Sequence, residues 1–436
     1  MTRRDTPAGA VPLEYGKNGR LLFTKAMKRE YTLLIPQMLP VTFALIRRVL
    51  ELYGYKAEML TTSHRGITDT GLKYVHNDTC YPALLVIGQL LDALQSGKYD
   101  AGRTALLISQ TGGGCRASNY IHLLRKALRK AGLAHVPVIS LNLSGLEKNP
   151  GFKLSLPILR RFAAAMIYGD FITWLAGRTK PYEVRRGATA ELTERLTEEI
   201  AAMFGAGRAI SRRGMRGMLG RIAGEFAAVG LEGEPKPRVG VVGEIYVKFA
   251  PLGNNNLEDF LLSEGCEVVV PGLTDFMIFK IDNRSADAEI YRGSRLKKLA
   301  CDIFKKYIES LQDMMIAVIE ERTPFRPPGR FGDLERLIKG YLGRGNKMGE
   351  GWLLTAEMLE LIHTGADNIV CAQPFGCLPN HVAGKGMIRR LKDDFPESNI
   401  VAIDYDPGAS RINQENRVKL MISAAKEKHR ARGGNR

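Results

Sequence analysis

The residues with most chemical reach are six cysteines, Cys80, Cys115, Cys266, Cys301, Cys371 and Cys377. Six are too few for a disulfide scaffold in a chain of 436 residues, so metal binding or catalysis is the expected use. Cys80 lies in HNDTCYPA, where a polar loop gives way to a helix that opens with proline. Its sulfur is expected near the positive end of a helix dipole, which favours thiolate. Cys115 lies in SQTGGGCRASNY, directly after the apolar run TALLISQ. The three glycines permit unusual backbone angles, and several amide N–H groups can then point at a bound anion such as sulfide. Cys377 lies in AQPFGCLPNHVAGKG, again between strand and helix. Iron–sulfur clusters need thiolates, shielding from water and hydrogen bonds to sulfur, and these loops combine cysteine, glycine and Pro or Phe neighbours. The spacing is not the local C-x-x-C kind, so metal ligation and plain burial of thiols both stand as alternatives. Cys266 opens a buried strand and Cys301 sits inside a helix, where packing is the expected role. Cys371, in NIVCAQP six residues before Cys377, is intermediate.

Other polar groups carry two readings each. Glu244 in VVGEIY is placed in a strand near a cleft, as an acid or base or as a helix cap. His381, four residues after Cys377 on a helix expected to begin near Pro379, either reaches substrate or stays a surface group. Asn254, Asn255 and Asn256 read as a turn first and a carbonyl-binding loop second. Lys385 and Arg116 either neutralise phosphates or face solvent.

The elements that must position these groups alternate. Strand Tyr31–Pro36, helix Pro40–Gly54, strand KAEMLTTS, helix Ala83–Gln95, strand Thr104–Gln110, helix Ser118–Ala131 and strand Val136–Leu143 form a βαβ series and hence a parallel sheet. Residues 156–229 have long apolar periodicity and should be helical. EGEPKPR, residues 232–238, breaks the pattern as a linker would. A second series follows: strand RVGVVGEIYV from Arg238, helix Leu257–Glu264, strand CEVVVP, helices near 293–321, 333–341 and 352–364, strand NIVCAQP, helix Pro379–Asp393, strand NIVAIDYD and a last helix from about Ser410. The two openings share strand, proline-containing loop, helix, glycine stop and strand, which suggests a weak internal duplication with the lobes facing across a cleft. The expected organisation is an N-terminal extension over 1–30, a first α/β lobe with a helical insertion over 31–231, a second α/β lobe over 238–425 and a basic tail over 426–436.

Length supports more than one core, since cores stop growing at about 250–300 residues. A 45% hydrophobic and 25% charged composition is that of a globular protein. The start lacks an apolar signal region, and the longest apolar stretch, Phe162 to Leu175, contains Asp170. A cytoplasmic protein without a membrane partner is expected. A net charge of +17 favours anionic partners such as phosphates and acyl-CoA thioesters. The runs around Arg208–Arg221 and after Asn416 are more simply solvated helical faces and a frayed end. Dispersed basic residues and the absence of a helix-turn-helix, RNP or zinc-finger pattern argue against nucleic acid.

The strings NDTCYPALLVIGQLL, QTGGGCRASNYIHLLRKAL, VVGEIYVKFAPLGNNNLEDFLLSEG and QPFGCLPNHVAGKG resemble the 2-hydroxyacyl-CoA dehydratase superfamily. They are most similar to the dehydratase-like part of large acyl-CoA dehydratase activase proteins, where IDYDPGAS and NQENRVKLM also fit. The resemblance runs from about Tyr31 to Met421. It implies an α/β fold of two Rossmann-like lobes with parallel sheets and additional helices, and a 4Fe-4S cluster between them on Cys80, Cys115 and Cys377. It implies a lyase or reductase component that acts on a CoA thioester. One electron converts the thioester to a ketyl radical that expels the adjacent hydroxyl, and the electron is recycled after proton loss. An iron left open can bind the thioester oxygen. The electron would come from a separate ATP-dependent activase, because the chain has no G-x-x-x-x-G-K-[ST] loop. Cys371 leaves a fourth thiolate or a double-cubane cluster as the alternative, with a non-catalytic electron-transfer or scaffold role. Homo- or heterodimers are common among such proteins. On this reading Glu244 and His381 are the catalytic candidates.

Overall fold

The computed structural model of the chain describes residues 11–76, 78–111, 113–142 and 147–433. It divides into two units, Met1–Met38 with Ile46–Leu159, and Leu39–Leu45 with Arg160–Arg436.

The first unit runs α1 (Lys25–Glu30), β1 (Thr32–Pro36), α2 (Pro40–Leu52, its first residues grouping with the second unit), β2 (Lys56–Leu60), α3 (Arg65–Tyr74), α4 (Tyr81–Gln95), β3 (Thr104–Ser109), α5 (Tyr120–Lys130) and β4 (Val138–Leu141). The strands form a parallel sheet in the order β2-β1-β3-β4. Parallel sheets are covered on both faces and therefore read as unbroken apolar runs. Ala105 to Ile108 of β3 are accordingly all buried. Helix α4 is apolar around nearly its whole circumference and is buried almost throughout. Against it packs α3, at a distance only glycine allows: a Cβ on Gly88 would lie 2.2 Å from the Ile67 carbonyl oxygen.

The second unit contains α6 (Leu156–Thr179, from Arg160), α7 (Ala188–Gly205), α8 (Arg212–Ala227), β5 (Arg238–Gly243), α9 (Ile245–Phe249), α10 (Pro251–Asn254), α11 (Leu257–Ser263), β6 (Glu267–Val269), α12 (Leu273–Ile290), α13 (Arg295–Arg322), α14 (Phe331–Leu337), α15 (Trp352–His363), β7 (Asn368–Pro374), α16 (Ile388–Asp394), β8 (Asn399–Tyr405) and α17 (Arg411–Gly433). Its sheet is also parallel, in the order β6-β5-β7-β8. Each unit is thus a Rossmann-like α/β layer with the same strand order, in keeping with the suggested duplication.

The structure departs from the sequence-based expectation in several places. The helices α6–α8 belong to the second unit, so the division falls near Leu159 and not at residues 232–238. Asp170 of α6 accepts from the Leu273 and Thr274 amides of α12 at 3.1 and 2.7 Å, and the expected linker is held down by hydrogen bonds from Glu232 N and Lys236 N to Tyr182. Strand β5 stops at Gly243, and Ile245–Phe249 is helical. Residues 380–394 form a π turn, a 3-10 turn and then α16, not one regular helix. At the ends, residues 11–30 include α1 with buried Phe23 and Met27, and residues 426–433 continue α17.

The second unit encloses an ionic centre. Lys248 donates to Glu357 at 2.8 Å, with both side chains almost fully buried. Asp275 accepts from Gln312 at 2.7 Å, and Glu360 accepts from Gly329 N at 2.8 Å. Burial pushes the carboxyls of Asp170, Asp275, Glu357 and Glu360 up, while Lys248 pulls those of Asp170, Glu357 and Glu360 back down. Asp170, the one acid of the longest apolar stretch, therefore serves as a buried helix cap.

Candidate functional site

In parallel sheets, ligands bind beyond the carboxyl ends of the strands where the order reverses. That reversal lies between β1 and β3 in the first unit and between β5 and β7 in the second. Three of the singled-out residues, Cys115, Glu244 and Cys377, follow the carboxyl ends of these strands.

In the second unit, Gly243 closes β5 against β7 so tightly that a Cβ there would sit 2.1 Å from the Ala372 carbonyl oxygen. The chain then leaves the sheet at Glu244, which is the N-cap of α9 and accepts from Val247 N at 2.9 Å. Glu350, just before α15, accepts from Ile245 N at 3.1 Å through Oε1 and from Asn380 Nδ2 at 3.4 Å through Oε2. The same Asn380 amide donates to Cys377 Sγ at 3.3 Å. Gly376, with φ of 74°, makes the turn that delivers Cys377 from the end of β7. Glu244, Glu350, Asn380 and Cys377 thus form one cluster. Burial, and then the Glu350 charge, push the Glu244 carboxyl up to about 8. Burial also raises Glu350. Burial followed by Glu350 and Glu244 raises the Cys377 thiol, against the opposing Asn380 hydrogen bonds. At neutral pH Glu244 therefore keeps a proton that an ordinary carboxyl releases. His381 is exposed, and its Nδ1 is bonded to the Gln373 side chain.

In the first unit, Cys80 is the N-cap of α4, as the proline-led helix predicted, and its Sγ lies 2.7 Å from the Tyr120 hydroxyl. Cys115 caps the short turn Arg116–Ser118, and Ala117 N donates to its Sγ at 3.5 Å. The loop is braced by Gln110, whose Nε2 donates to Ser118 O at 3.0 Å and whose Oε1 accepts from Ser140 at 2.7 Å. Tyr120 opens α5 directly after that turn, so Cys80 and Cys115 both abut the start of one helix.

Of the other cysteines, Cys371 and Cys266 are buried and Cys301 is half-buried. Cys371 lies in the core with Val242, Met358 and Leu391, and burial pushes its thiol up to about 12. Gly384 approaches its sulfur so closely that an added Cβ would lie 3.2 Å away. The packing neighbours of Cys371 in this core are apolar. Cys266 is buried beside β6 with its thiol raised to about 11, and Cys301 lies in α13.

Within each unit, among the described residues, no group of three or more His, Cys, Asp or Glu side chains stands ready around a metal. The donor chemistry at Cys80, Cys115 and Cys377 nonetheless fits thiolate ligation: each sulfur has a hydroxyl, backbone amide or side-chain amide beside it, the contacts that tune clusters. Metal coordination strips the proton from a thiol outright, which would reverse the raised Cys377. Asn254 and its neighbours form the turn expected of them, with Asn255 and Asn256 left-handed. Lys385 pairs with Asp404 at 3.3 Å. Glu350, Asn380 and Tyr120 were not singled out by sequence. Asn380 lies within the same short string as Cys377, three residues on, whereas Glu350 comes from a Gly-rich loop whose partners are distant in sequence.

No helix among the described residues is long and apolar enough to cross a membrane. No family model matches the chain, and no curated protein shows significant similarity to it.

Proposed function

We propose that the chain is an iron–sulfur protein of the 2-hydroxyacyl-CoA dehydratase type, holding a 4Fe-4S cluster on Cys80, Cys115 and Cys377 and acting on a CoA thioester with electrons from a separate ATP-dependent activase in the cytoplasm. The observation that carries the reading is the Glu244–Glu350–Asn380–Cys377 cluster, which sets a buried cysteine and two protonatable carboxyls together at the switch point of a Rossmann-like sheet. A bound cluster supplies a one-electron donor and, through an iron without a fourth protein ligand, a Lewis acid for a carbonyl oxygen. The protein's own groups handle protons. Glu244 holds its proton at neutral pH and can return one to a leaving hydroxide, while Glu350 keeps the Asn380 amide turned toward the sulfur. His381, fixed through Nδ1 by Gln373, has Nε2 for exchange with solvent. The packing of Cys371 in the core favours this catalytic form over a fully ligated, electron-carrying one.

Substrate dependence tests the reading. Protein reconstituted with iron and sulfide without oxygen should change its electron paramagnetic resonance spectrum on addition of a 2-hydroxyacyl-CoA, and Glu244→Gln should retain the spectral change but lose turnover with an activase. A cluster indifferent to every CoA thioester would assign the chain to electron transfer instead.

A further inference from the structure

Apolar side chains scattered singly over a surface are ordinary, whereas a cluster of them asks for a partner. Five large hydrophobic residues stand exposed where α12 turns into α13: Ile290, Tyr291, Leu296, Leu299 and Ile303, from 47% at Ile290 to 76% at Leu296. Leu296, Leu299 and Ile303 follow at the three- and four-residue spacing that keeps them on one face of α13, a stripe about 10 Å long. Ile290 and Tyr291 close α12 just before that stripe begins. From Ile308 onward α13 buries apolar residues, but none of its residues before Ile308 is buried, so core packing does not explain the stripe. The turn is held by its own backbone. Tyr291 N donates to Asp287 O at 2.9 Å and Gly293 N to Ala288 O at 3.0 Å, and Ser294 caps α13.

The charges around the stripe are one-sided. Residues 290–306 hold six cations, Arg292, Arg295, Lys297, Lys298, Lys305 and Lys306, against one acid, Asp302. Asp302 accepts from Lys298 at 2.7 Å and from the Ser285 hydroxyl at 2.5 Å. The flanking acids are engaged as well. Asp287 pairs with Lys347, Glu289 with Lys298 at 3.3 Å and Arg344 at 3.6 Å, and Glu309 with Lys305 at 3.7 Å. Lys305 is also taken by Asp282 and Glu335. Arg292, Arg295, Lys297 and Lys306 are exposed and have no ion pair among the described residues. At 100° per residue, Arg295 and Lys306 flank the stripe on one side and Lys297 on the other.

A second copy of the chain would bring these cations against themselves, on a protein already at +17, which disfavours self-association. The matching surface is negative and apolar at once. A bilayer with acidic headgroups meets both conditions, needs no shaped groove for side chains that stand this far out, and satisfies cations on both flanks together. Tyr291, beside the unpaired Arg292, has the amphipathic ring that settles at headgroup level. We propose that the tip formed by α12 and α13 docks the protein peripherally on an anionic membrane surface. Leu296, Leu299 and Ile303 enter the headgroup boundary, and Arg292, Arg295, Lys297 and Lys306 meet lipid phosphates. The contact uses none of the groups assigned to the cluster and does not depend on the proposed activity.

The test is co-sedimentation of the full chain with vesicles of phosphatidylcholine alone and of phosphatidylcholine with about 30% phosphatidylglycerol. Binding to the anionic vesicles is expected to be at least about tenfold tighter than to the neutral ones and to weaken as salt is raised. Leu296→Ser with Leu299→Ser and Ile303→Ser should weaken it at least about tenfold, and Arg295→Gln with Lys297→Gln several-fold. All five positions are exposed, so both variants should keep the wild-type circular dichroism. Absence of binding to anionic vesicles overturns the proposal and leaves the tip to an acidic protein. Wild-type affinity in the serine variant overturns it too, because dispersed charge then accounts for the binding. In sedimentation velocity, a wild-type dimer that the serine variant dissolves would assign the tip to a second copy and overturn the membrane reading. Should the serine variant not fold, wild-type affinity in the glutamine variant overturns the proposal in its place.

Discussion

Replacing Lys248 by Met removes the one basic group that Asp170, Glu357 and Glu360 share in the ionic centre of the second unit. At 2.8 Å from Glu357 Oε1, the Lys248 ammonium contributes an attraction of about 6 kcal/mol at an effective dielectric near 20. Desolvation of the two ions costs several kcal/mol each and offsets most of that, so the intact pair adds little net stability. Removing one partner is different, because Glu357 is left buried without its cation. Lys248→Met is therefore expected to cost about 3–5 kcal/mol at pH 7.5. Lys248→Met with Glu357→Gln should cost less than Lys248→Met alone, giving a coupling of about 1–3 kcal/mol. Acidification should also rescue the single variant, since Glu357 can then fold in its neutral form. Urea unfolding followed by circular dichroism at pH 5.5 and 7.5 measures all three quantities. A loss below about 1 kcal/mol for Lys248→Met, or strict additivity in the double variant, would refute the claim that the centre is held by this pair.

Other expectations follow from the same packing and electrostatics. Glu360 keeps its proton up to about 7 in the folded chain against 4.5 for an ordinary carboxyl, so the stability this group contributes is fully present below 4.5 and is lost as pH rises from there to 7, by about 3 kcal/mol. Glu360→Gln should remove that slope, matching wild type near pH 4.5 and exceeding it at pH 8 in the same unfolding assay. Gly88→Ala must push α3 from α4, because its Cβ would lie 2.2 Å from Ile67 O, and should lower stability by at least about 2 kcal/mol, with a matching fall in melting temperature. Tyr120→Phe removes the hydroxyl 2.7 Å from Cys80 Sγ. It should change stability by no more than about 1.5 kcal/mol while lowering the reduction potential of a reconstituted cluster, read by redox titration, since hydrogen bonds to sulfur raise such potentials.

Much of the parallel framework was legible because parallel strands are buried on both faces and appear as short apolar runs between turn residues. TALLISQ became β3 and NIVCAQP became β7 with nearly the expected bounds. Legibility failed where polar residues are buried with partners. Helix α12 was missed: Asp275, Asp282, Asn283 and Ser285 are all inside, which erases its apolar stripe. The residues IYV after Glu244 favour strands by type, yet the Glu244 cap and the following Ala250-Pro251 step hold them in a helical turn. Glycine contacts with distant residues, such as Gly384 against Cys371 Sγ, have no local signature, so the break in the helix after Pro379 was not foreseen. The site was half legible. Cys377 follows the end of β7 as expected, Glu244 caps α9 beyond the end of β5 and not within a strand, and Glu350 joins them through a hydrogen bond to Ile245 N, 105 residues earlier in the chain.

The central claim is that Cys80, Cys115 and Cys377 hold a cluster. Iron and acid-labile sulfide content, with an electron paramagnetic resonance spectrum, should be measured on protein purified without oxygen, for wild type and for Cys80→Ala, Cys115→Ala, Cys377→Ala and Cys371→Ala. The account predicts about four irons per chain in wild type, lost in the first three variants and retained in Cys371→Ala. No iron in wild type, or iron that survives loss of Cys377, would contradict it.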